Sequence, residues 1–498
     1  MTFTKTSNRN QTVRKMSKSP SFKFVFVIAI LFSAFSTSQL NAQQAGDRVV
    51  VSSSSETKIY KKVVGYAFEG SIRTIDEVNG KWCSLDDDPG WLLLRNVMNM
   101  NMALKHFSKR IKDSDRDDIA LAHRGMIYHD LEQYGLAFND LNQSLKINAK
   151  NPVTWMNRGM VLKAQGKYVL AAKDIRKAIE LNPKLANAHY NIGLVFYALN
   201  DYKQSLKAYN EAIKLNDKHA LWYISRGSAK IGVDDLPGAK EDYLKALTMK
   251  EARTDSESHV GLSNIALIQD DLEEAYNQAN LAVEAQPKNA MALNARGWVL
   301  FKRGKTDEAI YDLGRAIRYA PSLSIAYGNR GVCYVSQNKF DKAIADHTKH
   351  TELDPESPFA LSNRGVAWLG KGDFEKAKAD FMAAEKMAPE LDETLNGFAW
   401  FLATCPDKSY RDGKAAVEKA TKACKYSKEK DWYHLDTLAA AYAELEDFDE
   451  AIKWAKKAIE VAPGSKKSIC KEQLARFERK EPFRSQVGKN AEQGIATN

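Results

Sequence analysis

The chain has 498 residues, carries a formal net charge of +10 and contains only five cysteines. Six of its Lys and Arg residues precede residue 43, in a segment without acids, so the remainder carries only about +4. No stripe of basic residues with interleaved aromatics follows, which excludes a nucleic-acid partner. An odd number of irregularly spaced cysteines also excludes a disulfide framework. Because the length allows about three ordinary domains, one long array and a small partner domain account for it.

Residues 1–42 have the pattern of an export signal. A basic segment precedes the apolar run Phe24–Phe35, and Leu40-Asn41-Ala42 places a small residue at a plausible cleavage point. The run has about 12 residues, whereas a helix needs about 20 to cross a bilayer. The sequence therefore predicts a cleaved signal peptide over residues 1–42. The protein is then exported to the periplasm, the cell envelope or the medium, and an uncleaved membrane anchor is the alternative.

Residues 45–97 contain short runs of β-forming residues separated by turn signals. The predicted strands are Arg48–Val51, Ser71–Val78, Lys81–Leu85 and Trp91–Arg95. Asn79-Gly80 is typical of a tight hairpin, since both positions tolerate positive φ, and imperfect alternation within Ser71–Val78 predicts a bulge. The order of these features, ending in Gly90-Trp91-Leu92, resembles the bacterial Src-homology-3-type domain. The resemblance implies a small all-β barrel over residues 45–97 that binds peptides or cell-wall glycans.

A small residue then recurs every 34 residues, apart from one step of 36 and a last step of 40. The ten positions are Gly125, Gly159, Gly193, Gly227, Ser263, Gly297, Gly331, Gly365, Ala399 and Ala439. Such a period is typical of paired antiparallel helices stacked as a solenoid, and it resembles the tetratricopeptide repeat. The predicted fold class is therefore mainly α: about ten helix pairs over residues 118–465, preceded by the small barrel.

Segments on both sides of the repeats are predicted to close the array. Asn96–Lys112 has the pattern of one helix in phase with the repeats, which predicts an N-terminal capping helix within residues 98–117. Ser465–Arg479 predicts a C-terminal capping helix within residues 466–485. Residues 486–498 have little to bury and are predicted to be disordered.

The last two repeats carry a longer resemblance. The segments Ala399–Asp407, Tyr410–Gly413 and Leu435–Tyr442 look like the C-terminal block of a family of exported bacterial proteins. Members of that family join a Src-homology-3-type barrel to tetratricopeptide repeats, and the family has no established activity. The resemblance therefore implies the architecture and no chemistry.

Six repeats carry an arginine directly before the small position and an aspartate sixteen residues after that arginine. The pairs are Arg124/Asp140, Arg158/Asp174, Arg226/Asp242, Arg296/Asp312, Arg330/Asp346 and Arg364/Asp380. The other four repeats have neither residue. This joint occurrence predicts a contact between the two helices of a repeat, in which a planar guanidinium grips a carboxylate. These arginines are interpreted as structural, and a ligand-binding role is the alternative.

The face lined by the first helix of each repeat is predicted to bind a protein or peptide segment. Two residues before the small position, four repeats have an asparagine: Asn157, Asn191, Asn329 and Asn363. Such a row offers donors and acceptors to an extended backbone. Neighbouring aromatic residues, Tyr190, Tyr197 and Trp298, would add an apolar lining. The alternatives are that asparagine merely belongs to the repeat pattern and that the aromatic residues pack between repeats.

His347 and His350 occupy two positions of a second helix that are usually apolar, and Cys333 lies on the helix before them. This trio is consistent with a transition-metal site or with a pH-sensitive packing defect. Two satisfied histidines in a repeat that tolerates them are the preferred interpretation. Three successive aspartates, residues 86–88, are interpreted as a solvated turn rather than a metal loop. No metal ligand is therefore predicted.

The sequence contains no nucleophile elbow, phosphate loop, HExxH or CxxC motif. We therefore predict no catalytic residue and no cofactor, and we predict a noncatalytic interaction scaffold. Its expected partner is a protein or peptide. The cell wall is a possible second partner that the barrel would bind. Contact with a membrane is expected only if the signal is uncleaved. A purely architectural envelope protein and an enzyme acting in the barrel or at the histidine pair are the alternatives. The oligomeric state is unknown.

Overall fold

In a computed structural model, the described residues are 48–51, 55–59, 62–67, 72–79, 82–85, 91–93, 97–249, 252–464 and 466–488. The predicted signal peptide, residues 1–42, lies outside them. The chain divides into two compact units, with the boundary between Met249 and Lys250. Over the described residues, the first unit holds seven strands and nine helices, and the second holds thirteen helices.

The strands form one antiparallel sheet in the first unit. They are β1 Arg48–Val51, β2 Ser55–Ile59, β3 Lys62–Ala67, β4 Ile72–Asn79, β5 Trp82–Leu85, β6 Trp91–Leu93 and β7 Val97–Asn99. Their order in the sheet is β3-β2-β6-β5-β4-β1-β7. The predicted hairpin joins β4 to β5 with Asn79 opposite Trp82, and the predicted bulge is a register shift between Ile75 and Glu77. Closure of this sheet into a Src-homology-3-type barrel stays a prediction.

Three strands, β2, β3 and β7, have no counterpart among the predicted strands. The β2 sequence is mostly polar, and β3 contains a glycine, so neither shows a clear period-two pattern. β7 takes Val97–Asn99 from the start of the predicted capping helix, which begins at Met100 instead.

Twenty-two helices among the described residues confirm the mainly α solenoid. They are α1 Met100–Asp113, α2 Asp118–Asp130, α3 Tyr134–Ile147, α4 Pro152–Ala164, α5 Tyr168–Leu181, α6 Ala186–Ala198, α7 Tyr202–Leu215, α8 Ala220–Gly232, α9 Leu236–Leu247, α10 Ala252–Ile268, α11 Leu272–Ala285, α12 Ala290–Lys302, α13 Thr306–Tyr319, α14 Ser324–Ser336, α15 Phe340–Leu353, α16 Pro358–Lys371, α17 Phe374–Met387, α18 Asp392–Thr404, α19 Gly413–Tyr426, α20 Trp432–Glu444, α21 Phe448–Val461 and α22 Lys467–Glu478. From α2 to α21, each even-numbered helix carries the small residue and is called helix A. The odd-numbered helix after it is helix B.

In nine of the ten repeats, the turn from helix A to helix B places one residue in the left-handed conformation, seven positions after the small residue. These residues have φ between 57° and 88°: Glu132, Gly166, Asn200, Asp234, Asp270, Gly304, Asn338, Gly372 and Glu446. Left-handed backbone favours Gly, Asn and Asp, which supply seven of the nine. In several repeats the next residue is an aspartate whose side chain accepts a hydrogen bond from the first turn of helix B, as Asp201 does from the Gln204 N–H. Local sequence therefore sets where each helix B begins.

The small residue lets helix A lie directly against helix B. Sixteen residues after seven of the glycines comes a larger side chain in contact with them: Leu141, Ile175, Tyr209, Tyr243, Leu313, His347 and Phe381. A Cβ atom added to Gly159 would lie 2.5 Å from Ile175 Cγ1. Where Ser or Ala replaces glycine, the opposing position holds alanine: Ser263/Ala279, Ala399/Ala420 and Ala439/Ala455. The two positions are thus matched in size, as close packing requires.

The six predicted Arg–Asp contacts are present, and each of them is bidentate. In every pair, Nε and one Nη atom donate to the two carboxylate oxygens over 2.6–3.0 Å. The aspartates are only 2–7% exposed. A buried carboxylate that loses its partner costs about 3–5 kcal/mol, so these pairs hold helices A and B in register.

A third contact of these arginines extends the tie to the preceding helix. In five cases Nη1 donates to a side-chain oxygen sixteen residues earlier: Ser108, Asn142, Asn210, Asn280 and Thr348. For Arg330 the corresponding residue is Gly314, which offers no side chain. Each of the five guanidinium groups therefore joins three successive helices. A polar residue at that offset is the signal that would have predicted the contact.

The capping helices bury apolar faces against their neighbours. Phe107 of α1 packs with Ala120 and Ile127 of α2, and Phe477 of α22 is fully buried in the second unit. The four cysteines in the helical region are buried free thiols: Cys333, Cys405, Cys424 and Cys470.

Gly159→Ala is expected to destabilise the array by about 1–3 kcal/mol, because the new methyl group is forced against Ile175. In an Ile175→Ala background the same change should cost less than half as much, as in the natural Ala439/Ala455 pair. Urea unfolding followed by circular dichroism gives the four free energies of this cycle.

Gly135→Ala is the matched control, because no atom lies within 4 Å of the added Cβ and the glycine also lies in a helix. It should stabilise the array by up to about 1 kcal/mol through helix propensity. Equal costs of Gly159→Ala in both backgrounds would contradict the size-matching argument.

Candidate peptide-binding site

In the first unit, four predicted site residues lie on the A helices α4 and α6. Asn157, Asn191 and Tyr197 are half-buried and keep accessible surface. Tyr190 is only 8% exposed, because its ring stacks on Trp222 of the next helix A with centroids 5.4 Å apart. Its hydroxyl lies 3.1 Å from Ser225 Oγ, one repeat further on. Tyr190 therefore packs between repeats and does not line an open surface.

In the second unit, the other three predicted site residues are buried. Asn329, Asn363 and Trp298 are 2–3% exposed, and Asn329 Nδ2 donates to Asn294 Oδ1 over 3.0 Å. Trp298 stacks on Phe301 with centroids 5.4 Å apart. These residues cannot form the predicted open lining, because neighbouring A helices approach closely enough to bury them. Asn294 lies three residues before its glycine instead of two, so the repeat comparison does not find it.

A nonhelical segment after α22, residues 481–488, packs on the A helices of the second unit; we call it the C-terminal segment. The Ser485 N–H donates to Thr404 O, and the Gly488 N–H donates to Gly370 O, both over 2.8 Å. Thr404 and Gly370 lie at the C-terminal ends of α18 and α16. The segment thus bonds through its main chain to carbonyls that helix ends leave without intrahelical partners.

Two side chains anchor the C-terminal segment. Phe483 packs on Trp400 of α18, with ring centroids 5.3 Å apart. Arg484 forms an ion pair of 2.5 Å with Glu444 at the end of α20, and Arg411 pairs with the other oxygen of Glu444 over 2.9 Å. Burial, the largest cause, lowers the pKa of Arg484, although Glu444 favours its charge. The site therefore combines main-chain acceptors, an aromatic face and a carboxylate.

The predicted disordered tail, residues 486–498, is wrong over its first three residues. Val487 lies against Gly372, and Gly488 is bonded to α16 as described above. These residues acquire partners from distant helices, which a local search for apolar residues does not detect. Residues 489–498 lie outside the described part of the chain.

The helical repeats of this chain match models of a known family. Family models of the tetratricopeptide repeat match residues 120–151, 159–200, 186–219, 260–323, 324–357 and 435–465. The helical part of the chain is a tetratricopeptide repeat array. These matches cover repeats on both sides of the boundary at Lys250.

Solved structures with similar folds come from several organisms. A tetratricopeptide repeat protein from Parabacteroides merdae is 18% identical, covers 50% of this chain and 98% of its own, and has a TM-score of 0.44. The human IFIT1 dimer with m7Gppp-AAAA is 14% identical, covers 72% of this chain and 85% of its own, and has a TM-score of 0.46. Yeast Tom70 is 17% identical, covers 76% of this chain and 92% of its own, and has a TM-score of 0.37. No curated protein matches the chain.

Among the described residues, no helix of the array is both long and apolar enough to span a bilayer. The export signal and its alternative as a membrane anchor fall on residues outside that part of the chain.

The array buries both predicted histidines of α15. His347 and His350 are 0% and 4% exposed, and their rings lie against Gly331 and Gly328. Neither ring nitrogen of His347 has a hydrogen-bond partner within the described residues, nor does His350 Nδ1. The preferred interpretation of two satisfied histidines is therefore wrong for His347. His347 instead fills the position that Leu, Ile, Tyr or Phe fills in other repeats.

Burial, with smaller contributions from the charges of His350 and Arg364, lowers the pKa of His347 to about 3. Burial also lowers the pKa of His350. Below the unfolded pKa of about 6.5, the unfolded chain binds protons that the folded chain does not. The free energy of unfolding therefore falls as the pH drops below about 6.5 and levels off above it.

His347→Leu is expected to stabilise the array more at pH 5 than at pH 8, by roughly 2 kcal/mol, because leucine removes this proton linkage. Leucine already opposes Gly125 and Gly297 in the same way. Urea unfolding at the two pH values measures the difference. Phe381→Leu, the same position one repeat later, is the nontitrating control. Equal effects of His347→Leu at both pH values would contradict the linkage.

Proposed function

We propose that the protein is a noncatalytic interaction scaffold that holds an extended protein segment against its A helices. The tetratricopeptide repeat fold implies protein–protein interaction. The observation that carries the finer proposal is the C-terminal segment, which already bonds through its main chain to the ends of α16 and α18. A partner segment with the same chemistry would make the same contacts.

The chemistry of this surface suggests which partner segments fit. Thr404 O and Gly370 O accept main-chain hydrogen bonds, which any extended sequence can supply. The ring contact between Trp400 and Phe483 favours an aromatic residue, and Glu444 favours a basic residue directly after it. We therefore propose a partner peptide with an aromatic–basic pair, as in Phe483-Arg484.

The chain's own segment must leave before such a partner binds. A tethered segment acts at an effective concentration in the millimolar range, so it competes strongly with a free peptide of similar intrinsic affinity. The C-terminal segment would thus raise the partner concentration needed for binding.

A chain truncated after Arg479 is expected to bind a labelled peptide with the sequence of residues 481–488. The full chain should bind it at least about tenfold more weakly, because its own segment occupies the surface. Fluorescence polarisation measures both affinities. Circular dichroism and unfolding confirm that the truncated chain retains the array.

Two matched controls test the anchors. A peptide with Phe483→Ala and Arg484→Ala should lose most of its binding, and Glu444→Gln in the truncated chain should weaken the native peptide only. Absence of saturable binding to the truncated chain would contradict the proposal, as would equal binding by the full chain.

The first unit offers a second surface for the proposed peptide function. Asn157, Asn191 and Tyr197 keep accessible surface on neighbouring A helices, and amides can pair with an extended backbone. We propose that the strand region forms the Src-homology-3-type barrel, with a peptide or cell-wall glycan as its ligand. Both modules would work outside the cytoplasm, because residues 1–42 have the pattern of a cleaved export signal.

Expression of the full sequence in a bacterial host is expected to yield a mature chain that begins near Gln43. Intact-mass spectrometry of the purified protein identifies the first residue. Ile28→Asp interrupts the apolar run and should leave the chain unprocessed. A chain that retains Met1 and sediments with membranes would instead support the signal-anchor alternative.

A further inference from the structure

Three metal-ligating side chains converge where the N-terminal ends of α18 and α20 meet. Asp392 lies in the first turn of α18, Asp431 precedes α20, and His434 lies in the first turn of α20. Each offers one ligand atom, and the three atoms all lie within 4.8 Å of one another. The cluster is remote in sequence from the C-terminal segment and from the histidines of α15.

His434 is the residue that requires explanation. Its side chain is fully buried, and neither ring nitrogen has a hydrogen-bond partner among the described residues. Nδ1 lies 3.8 Å from Asp431 Oδ2, too far for a hydrogen bond. Buried polar groups in native proteins are nearly always paired, so two bare nitrogens beside two carboxylates point to a missing partner.

Asp431 lies at a helix-capping position but does not make the usual capping hydrogen bond. It is the N-cap residue of α20, yet its side chain accepts no capping hydrogen bond. Asp412 and Asp447, the N-cap residues of α19 and α21, each accept from a backbone N–H of the first turn. The Asp431 carboxylate is thus directed at the cluster instead of at its own helix.

The carboxylates of the cluster lack a compensating cation. Asp392 and the adjacent Glu393 are 8% and 7% exposed, and no Lys or Arg among the described residues forms an ion pair with either. A divalent cation held between Asp392 and Asp431 would supply the missing counter-charge.

The donor set indicates the class of ion. One imidazole nitrogen with carboxylate oxygens suits Zn²⁺, whereas Mg²⁺ and Ca²⁺ favour oxygen ligands alone. Three protein ligands leave a fourth tetrahedral position, which water can take. By contrast, His347 and His350 have no carboxylate in a comparable cluster within the described region.

We propose that Asp392, Asp431 and His434 bind one Zn²⁺ ion and so tie the start of α18 to the start of α20. The ion would join two A helices that are successive in the array. Nothing in this proposal depends on peptide binding, so the two can fail separately.

Isothermal titration of the full untagged chain with Zn²⁺ at about pH 7.5 is expected to show one site per chain. Asp431→Asn should bind at least about tenfold more weakly, because an amide is a poorer ligand than a carboxylate. Its side chain is 46% exposed, so the isosteric change leaves the packing intact. Zn²⁺ should raise the Tm of the native chain and leave that of Asp431→Asn unchanged.

Asp447→Asn is the matched control, because it changes the N-cap of the next helix and should bind Zn²⁺ like the native chain. Asp392→Asn gives the same test should Asp431→Asn misfold, as judged by circular dichroism. Absence of stoichiometric Zn²⁺ binding, equal affinity in the native chain and the folded ligand variant, or equal affinity for Mg²⁺ would each overturn the proposal.

Discussion

The array depends on the close approach of helix A to helix B at one small residue in each repeat. A methyl group at Gly159 would already collide with Ile175, so the two positions can change only together. Glycine faces large side chains, and serine or alanine faces alanine. Because each repeat contacts only its neighbours, a misfit here would shift helix A relative to both adjoining interfaces. The surfaces on the A helices exist only as long as this packing holds.

The Arg–Asp pairs fix the orientation of helices that otherwise pack through apolar contacts. A bidentate guanidinium fixes rotation and sliding of one helix on another, whereas methyl contacts tolerate both. Repeats without the pair use other contacts at the same positions. Lys419, for example, lies over the Phe398 ring at 4.8 Å and pairs with Glu385 of the preceding helix B. A charged residue at these positions thus has a partner within the scaffold and is not free for a ligand.

Much of the helical fold could be predicted because ten copies of the repeat pack their two helices in the same way. Correlated changes, such as Arg158 with Asp174, reveal contacts within a repeat without any other sequence. Comparing the ten repeats with one another predicts the candidate site less well. Asn329 and Trp298 occupy the expected helix face, but the distance between neighbouring A helices decides whether that face is open. The C-terminal segment has no repeated counterpart, so nothing in the repeat pattern indicates where Ser485 binds.

The amino-acid sequence alone establishes the 34-residue period, the helix pairs, the matched small positions and the Arg–Asp contacts, because these recur at constant spacing. Tertiary structure alone decides which polar groups meet across helices and which are hidden. Asn329 meets Asn294 at a separation of 35 residues, and Ser485 meets Thr404 at 81. Asp392 meets His434 only because α18 and α20 begin side by side. Burial and proximity depend on distances between helices, and those distances follow from packing throughout a unit rather than from spacing along the chain.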